Sequence, residues 1–237
     1  MIEIIPTGPF KVNTLVVSLG GPYVFIVDPA ACPFSGDTFA ISRYLEEKKL
    51  IPLLIILTHG HFDHVSGLKK LHEDFPAAKI LIHEKDKDFI GKNSSLLQGR
   101  SLSLMEFEEF LPYVCDLPEA DAFLQNKKSL WECAFSSADS GALLKGDEKS
   151  LKEKLSLWCI LHTPGHSPGS VCLYNGAERT LISGDTIFYQ SYGRTDLPGG
   201  DESLICKSLK ELYHTIPSNT LVYPVHDYCG FCIQENL

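Results

Sequence analysis

Nothing in the sequence reaches the eighteen or so consecutive apolar residues that a membrane span needs. The apolar run Leu53-Leu54-Ile55-Ile56-Leu57 has only the length of a buried strand. Met1-Ile2-Glu3-Ile4-Ile5-Pro6 lacks the basic and long apolar stretches of an export signal, so a cytoplasmic location is expected. Positive charge is scarce: 21 Lys and Arg against 30 Asp and Glu give a formal net charge of −9. That balance disfavours a surface built for nucleic acid or anionic lipid, so neither nucleic acid nor a membrane is expected as a partner. Internal repeats and low-complexity stretches are absent as well. At 237 residues, 44% of them hydrophobic, the chain can bury a sizeable core. One domain over 1–237, carrying an insertion at about 93–150, is the expectation.

Cysteine is present, eight times, but disulfides are not expected in a chain without an export signal. Cys159 and Cys172 sit in apolar stretches and read as small core residues. Cys229-Gly230-Phe231-Cys232 has the spacing of a redox pair, yet that chemistry needs a following helix for which the chain leaves no room. The pair reads as ordinary thiols.

Thr14–Leu19 and Tyr23–Asp28, separated by Gly20-Gly21-Pro22, predict a hairpin. Gly36–Lys49 reads as an amphipathic helix, Ile51–Leu57 as a buried strand, Val65–Phe75 as a second helix and Lys79–His83 as a short strand. Leu155–Thr163 predicts a strand running into the loop Pro164-Gly165-His166-Ser167-Pro168-Gly169. Val171–Tyr174 and Thr180–Ser183 form a further hairpin, Glu202–Tyr213 a helix and Thr220–Val225 a last strand. Asn93–Ser150 reads as short helices and loops that could cover something. Its aromatics Phe107, Phe110, Tyr113 and Trp131 would either line a pocket or form a core of their own.

The stretch Thr58-His59-Gly60-His61-Phe62-Asp63-His64 packs three histidines and an aspartate into six residues, directly after a strand. His166, Asp185 and His226 also follow strands, whereas His72, His162 and His214 look ordinary and His83 reads as a strand-end residue. Metal-type ligands gathered at strand ends point to a metal site. In an extended segment His59 and His61 point to one side and can grip one ion, while Asp63 and His64 turn toward a second position. Imidazole and carboxylate suit zinc, manganese or iron, and a water shared by two such ions can lose its proton near neutral pH.

The series His59-x-His61-x-Asp63-His64, Thr163–Gly169, Ser183-Gly184-Asp185 and His226, covering roughly Val12 to Tyr228, resembles the metallo-β-lactamase superfamily. The resemblance implies an α/β fold, an αββα sandwich of two mixed β-sheets with helices outside. It implies that His59, His61 and His166 hold a first metal, that Asp63, His64 and His226 hold a second, and that Asp185 bridges. The cofactor is then two divalent metal ions, zinc first, with iron or manganese as alternatives.

Single positions separate the branches. The commonest zinc β-lactamases carry an export signal and have cysteine where Asp185 stands, and flavodiiron reductases have glutamate where His61 stands. Gly184–Phe188 and Tyr192–Gly200 resemble the glyoxalase II-like, or hydroxyacylglutathione hydrolase-like, enzymes. That resemblance implies hydrolysis of a small-molecule thioester or ester, with Asp63 as the catalytic residue that orients the nucleophile. Arg194 and Tyr192 would bind substrate, although Arg194 beside Asp196 reads equally as a structural latch. Asp196 stands where glyoxalase II has a tyrosine, and that enzyme's C-terminal helical domain is missing. Gly193–Asp196 and Pro224–Tyr228 also resemble persulfide dioxygenases, which implies the alternative of a single iron held by His59, His166 and Asp185.

Overall fold

A computed structural model of the chain describes residues 1–135 and 147–236. The first sheet contains β1 (Ile2–Thr7), β2 (Val12–Gly20), β3 (Tyr23–Val27), β4 (Ile51–Ile56), β5 (Lys79–His83) and β6 (Ala122–Leu124), hydrogen-bonded in that order. Its first two pairings are antiparallel and the rest parallel. The second sheet begins with β7 (Trp158–His162), β8 (Val171–Asn175) and β9 (Thr180–Gly184). A small ribbon, β10 (Ile187–Phe188) with β11 (Ser191–Tyr192), then precedes β12 (Leu221–Pro224) and β13 (Phe231–Cys232). The order is β13-β12-β9-β8-β7, and β9 with β12 is the parallel pair.

Successive side chains of a strand point to opposite faces, and this alternation builds the layers. Leu15, Val17, Phe25, Leu54 and Ile56 share a core with Trp158, Ile160, Leu173 and Ile182 between the sheets. Their neighbours Val16, Val24, Ile26 and Ile55 belong to an outer core. There they meet Ile41 and Leu45 of α1 (Ala40–Lys48), Val65 of α2 (Phe62–Val65), and Leu68 and Leu71 of α3 (Leu68–Asp74). Leu102 of α4 (Ser94–Leu104) extends the same layer. Two further helices follow, α5 (Leu130–Ala134) and α6 (Glu148–Ser156). Beyond the second sheet, Cys172, Leu181 and Val222 pack with Leu212 of α7 (Glu202–Thr215). The result is the expected αββα sandwich with two mixed sheets. Strands covered on both faces read as continuous apolar runs for this reason.

Several elements differ from the sequence reading. β1 escapes it because Pro6 interrupts the strand pattern, and an edge strand tolerates a proline. The helix expected over Val65–Phe75 is two helices broken at Ser66-Gly67. A Cβ on Gly67 would lie 2.8 Å from Ala31 N and O, so the chain turns where it touches that loop. Leu155 belongs to the buried face of α6, and the following strand starts only at Trp158.

The stretch 93–150 is more than helices and loops, since β6 joins the first sheet beside β5. Its aromatics form no core of their own: Trp131 enters the inter-sheet core and Phe110 the outer one. Residues 136–146 of this stretch lie outside the described residues. All eight cysteines are free. Cys232 is followed by a 3-10 turn, Ile233–Asn236, and burial pushes the Cys229 thiol up to about 11, which leaves little thiolate for redox chemistry. No helix among the described residues is long and apolar enough to cross a membrane.

Candidate metal centre

Each sequence-picked donor follows the end of a strand: His59, His61, Asp63 and His64 follow β4, His166 follows β7, Asp185 follows β9 and His226 follows β12. The sheets are stitched together there. Val171 N–H donates to Thr58 O at 2.9 Å, and Asn13 N–H donates to Val225 O at 2.6 Å. The Asn13 side chain also donates to Pro224 O and Asp227 O, which holds the loop carrying His226. Six of the seven donors thereby converge in two groups, and Asp185 lies between them.

In the first group His166 Nε2 lies 2.8 Å from His61 Nδ1 and 3.2 Å from His59 Nε2. The tautomers follow from the outer contacts. His166 Nδ1–H donates to Arg194 O at 2.8 Å. Thr58 Oγ1 donates its proton to Asp28 Oδ2, so it can only accept from His59 Nδ1–H at 3.2 Å. Burial, with the neighbouring His64, holds His59 well below its ordinary value and therefore neutral. His59 and His166 turn their Nε2 atoms toward each other, a geometry that a cation between them would satisfy. Ligand nitrogens around a tetrahedral ion with bonds of 2.0–2.1 Å sit about 3.3 Å apart.

The second group repeats the pattern. His64 Nδ1–H donates to Asp28 Oδ2 at 3.1 Å. Its Nε2 faces His226 Nε2 at 3.3 Å, Asp63 Oδ2 at 3.5 Å and Asp185 Oδ1 at 3.7 Å. Asp185 Oδ1 is buried without a hydrogen-bond partner, while Oδ2 lies 3.3 Å from His166 Nε2 and 3.9 Å from His226 Nε2. Burial alone would lower His64, but the Asp63 and Asp185 carboxylates outweigh it and hold the ring well above its ordinary value. Burial would raise Asp63, yet His64 and the His226 hydrogen bond bring it down to about 2. Asp185 is likewise held below the usual carboxylate range by His64 and His166, against the pull of burial. A proton and a metal ion compete for such a cluster, and the donor set suits a divalent metal.

Two carboxylates behind the donors escaped the sequence reading. Asp28, at the end of β3, is fully buried with a φ of 50°. It accepts from Thr58 N–H, Thr58 Oγ1 and His64 Nδ1. Its oxygens could also fit a group with His59 and His64, but with these contacts already made it serves better to orient His64. Asp86 accepts from Gly60 N–H at 3.0 Å, Ser167 Oγ at 2.6 Å and Gly169 N–H at 2.6 Å. It thereby ties the His59–His61 loop to the His166 loop. Burial pushes its carboxyl up, and these three donors oppose that.

A cavity of about 410 Å³ opens beside His61, Asp63, His166, Asp185 and His226. Phe10, Phe62, Met105, Phe188 and Leu197 make its apolar wall, and Ser191, Tyr192, Arg194 and Asp227 complete the lining. Tyr192 and Arg194 are at the cavity, but both are engaged. Arg194 makes a forked pair with Asp196, with Nε at 2.6 Å and Nη2 at 2.8 Å, and Tyr192 OH donates to Glu202 at 2.9 Å. Gly193, between them, is required by close approach: a Cβ there would lie 1.9 Å from Asp185 O and 3.0 Å from His166 Nδ1.

A family model described as the metallo-beta-lactamase superfamily matches residues 7–223. The probable metallo-hydrolase YqgX of Bacillus subtilis is 31% identical over 93% of this chain and 87% of its own length. Hydroxyacylglutathione hydrolase GloC of Haemophilus influenzae is 29% identical over 88% and 82%. The crystal structure of the BLEG-1 B3 metallo-beta-lactamase superposes with a TM-score of 0.77 at 31% identity, covering 99% of this chain and 95% of that one.

Proposed function

Because the chain belongs to the metallo-beta-lactamase superfamily, we propose that it is a metal-dependent hydrolase of a small-molecule thioester or ester, of glyoxalase II type, with a dinuclear site. The observation that carries this reading is the pairing of Nε2 atoms in both groups, His59 with His166 and His64 with His226, around the carboxylate of Asp185. A mononuclear iron site would leave the second group without a purpose.

His59, His61 and His166 would hold one ion, Asp63, His64 and His226 the other, and Asp185 would bridge them. Zinc is the first choice, although the same donors accept iron or manganese. Such ions supply Lewis acidity and a bound water that loses its proton near neutral pH. The protein's own groups do the rest. Asp63, ionised at neutral pH, offers acceptor oxygens that orient the attacking water. Asp28 holds His64 in one tautomer, and the Arg194 carbonyl does the same for His166. Phe10, Phe62 and Leu197 would offer the acyl group an apolar wall beside the donors. Eight free thiols suit work in the reducing cytoplasm.

The test is turnover by metal-stripped protein after zinc, manganese or iron is restored. Its substrates are S-lactoylglutathione, a neutral N-acetylcysteamine thioester and, because of the β-lactamase relative, a cephalosporin. Metal-dependent thioester cleavage that disappears in His64→Ala supports the reading. Cleavage of the cephalosporin alone would make the protein a β-lactamase. Iron-dependent oxygen uptake with a thiol persulfide, retained in His64→Ala, would establish the dioxygenase instead.

A further inference from the structure

We propose that the cavity selects a neutral, apolar acyl thioester or ester over a glutathione conjugate, an inference that rests on the hydrolase reading and names its substrate class. A glutathione conjugate brings carboxylates that outnumber its ammonium group, so a site for it needs free cations. Among the described residues, Arg194 is the one Lys or Arg lining the cavity. Its fork is spent on Asp196, and its remaining Nη1 points at Met105 Sδ, 2.8 Å away. Forked charge-assisted pairs of this geometry are the stronger kind.

The surroundings add negative charge. Asp227 lines the cavity. Glu202, bound to Tyr192 and Thr195, stands behind the mouth. To pair with the one side-chain cation at the cavity, an arriving carboxylate must displace Asp196 and approach these acids.

The apolar side is built to receive carbon. Phe10 is 39% exposed although its ring meets Phe62 at 5.6 Å and Phe107 at 5.7 Å. Phe34, 40% exposed, meets Phe107 at 5.3 Å, so the aromatic wall runs on from the metal donors to the surface. An acyl chain laid along Phe62 and Phe10 would have its carbonyl at the donors. In the reaction the water oxygen bonds to the acyl carbon, the C–S or C–O bond breaks, and a proton passes to the departing thiolate or alkoxide. The products are a carboxylic acid and a thiol or alcohol, and no redox partner is needed.

Binding to the metal-loaded protein separates this inference from the hydrolase reading. Calorimetric titrations would compare S-hexylglutathione with the S-hexyl thioether of N-acetylcysteamine, two probes that share one alkyl chain. The neutral thioether is expected to bind at least tenfold tighter, and equal or tighter binding of the glutathione probe overturns the proposal. Across acetyl, propanoyl and butanoyl N-acetylcysteamine, kcat/KM should rise about fourfold per added CH2; a flat series counts against the apolar wall. Asp196→Ala frees Arg194 and should narrow the gap between the two thioethers, whereas an unchanged gap counts against the latch. If no thioester is cleaved but the neutral thioether still binds preferentially, the hydrolase reading fails and the selectivity stands. If thioesters are cleaved with glutathione preferred, the selectivity fails and the hydrolase reading stands.

Discussion

Asp28 acts on the donors through His64 directly and through Thr58 on His59, so its effect should show in metal binding rather than in substrate affinity. Asp28→Asn is expected to weaken metal binding at the second group by about 10–100-fold, as read by competition with a chromophoric chelator. His61→Ala and Asp185→Asn should each abolish hydrolysis; either one retaining near wild-type turnover without metal would end the metal mechanism. Gly193→Ala tests positioning. Its new Cβ must push the loop away from Asp185 O, only 1.9 Å distant, and with it the carbonyl that orients His166. Displacements of that size can cost about 100-fold in kcat/KM, which steady-state kinetics would detect while circular dichroism stays unchanged. Away from the site, His83 stacks on His162 at 4.1 Å, and burial foremost pushes it down to about 4. The unfolded chain takes up this proton near 6.5 and the folded one only near 4, so acid removes stability across that window. His83→Phe keeps a stacking ring that cannot titrate. Its melting temperature should therefore gain on the wild type as the pH falls from 6.5 to 4; parallel pH curves would show that His83 does not titrate this way.

At the scale of elements, the site depends on loops held by a scaffold, and Asp86 is the tie between two of them. Asp86→Ala would leave the Gly60 and Gly169 N–H groups buried without acceptors, at about 1–3 kcal/mol each, which denaturant unfolding can measure. Strands were legible in the sequence where both faces are buried, as in Ile51–Leu57, because the apolar run is then unbroken. The loop His59–His64 was legible because so many metal-type side chains together have no other common purpose. Asp28 and Asp86 were not. A lone aspartate after a strand reads as a turn residue, and Asp86 stands in the charged stretch Glu84-Lys85-Asp86-Lys87-Asp88, which resembles a solvated surface. Their burial arises from residues far along the chain: Ser167 lies 81 positions from Asp86. β6 was hidden for a similar reason, since three residues that complete a sheet edge carry no pattern of their own.

For the molecule as a whole, each donor group draws from both sheets. His59 and His166 are 107 positions apart, and His64 and His226 are 162 apart. An ion in either group would clasp the two sheets together, so removing it should destabilise the fold. At a metal concentration a thousandfold above Kd the expected loss is about 4 kcal/mol, seen as a drop in melting temperature on adding chelator. An unchanged melting temperature would argue that no ion spans the sheets. The wide separations also set an order of events. A nascent chain that has completed only the first sheet holds Asp63 and His64 without His226, and His59 and His61 without His166. Half a ligand set holds an ion far more weakly than the full one, which exists only once both sheets are in place. Metal capture therefore belongs after folding, as the act that seals a finished sandwich.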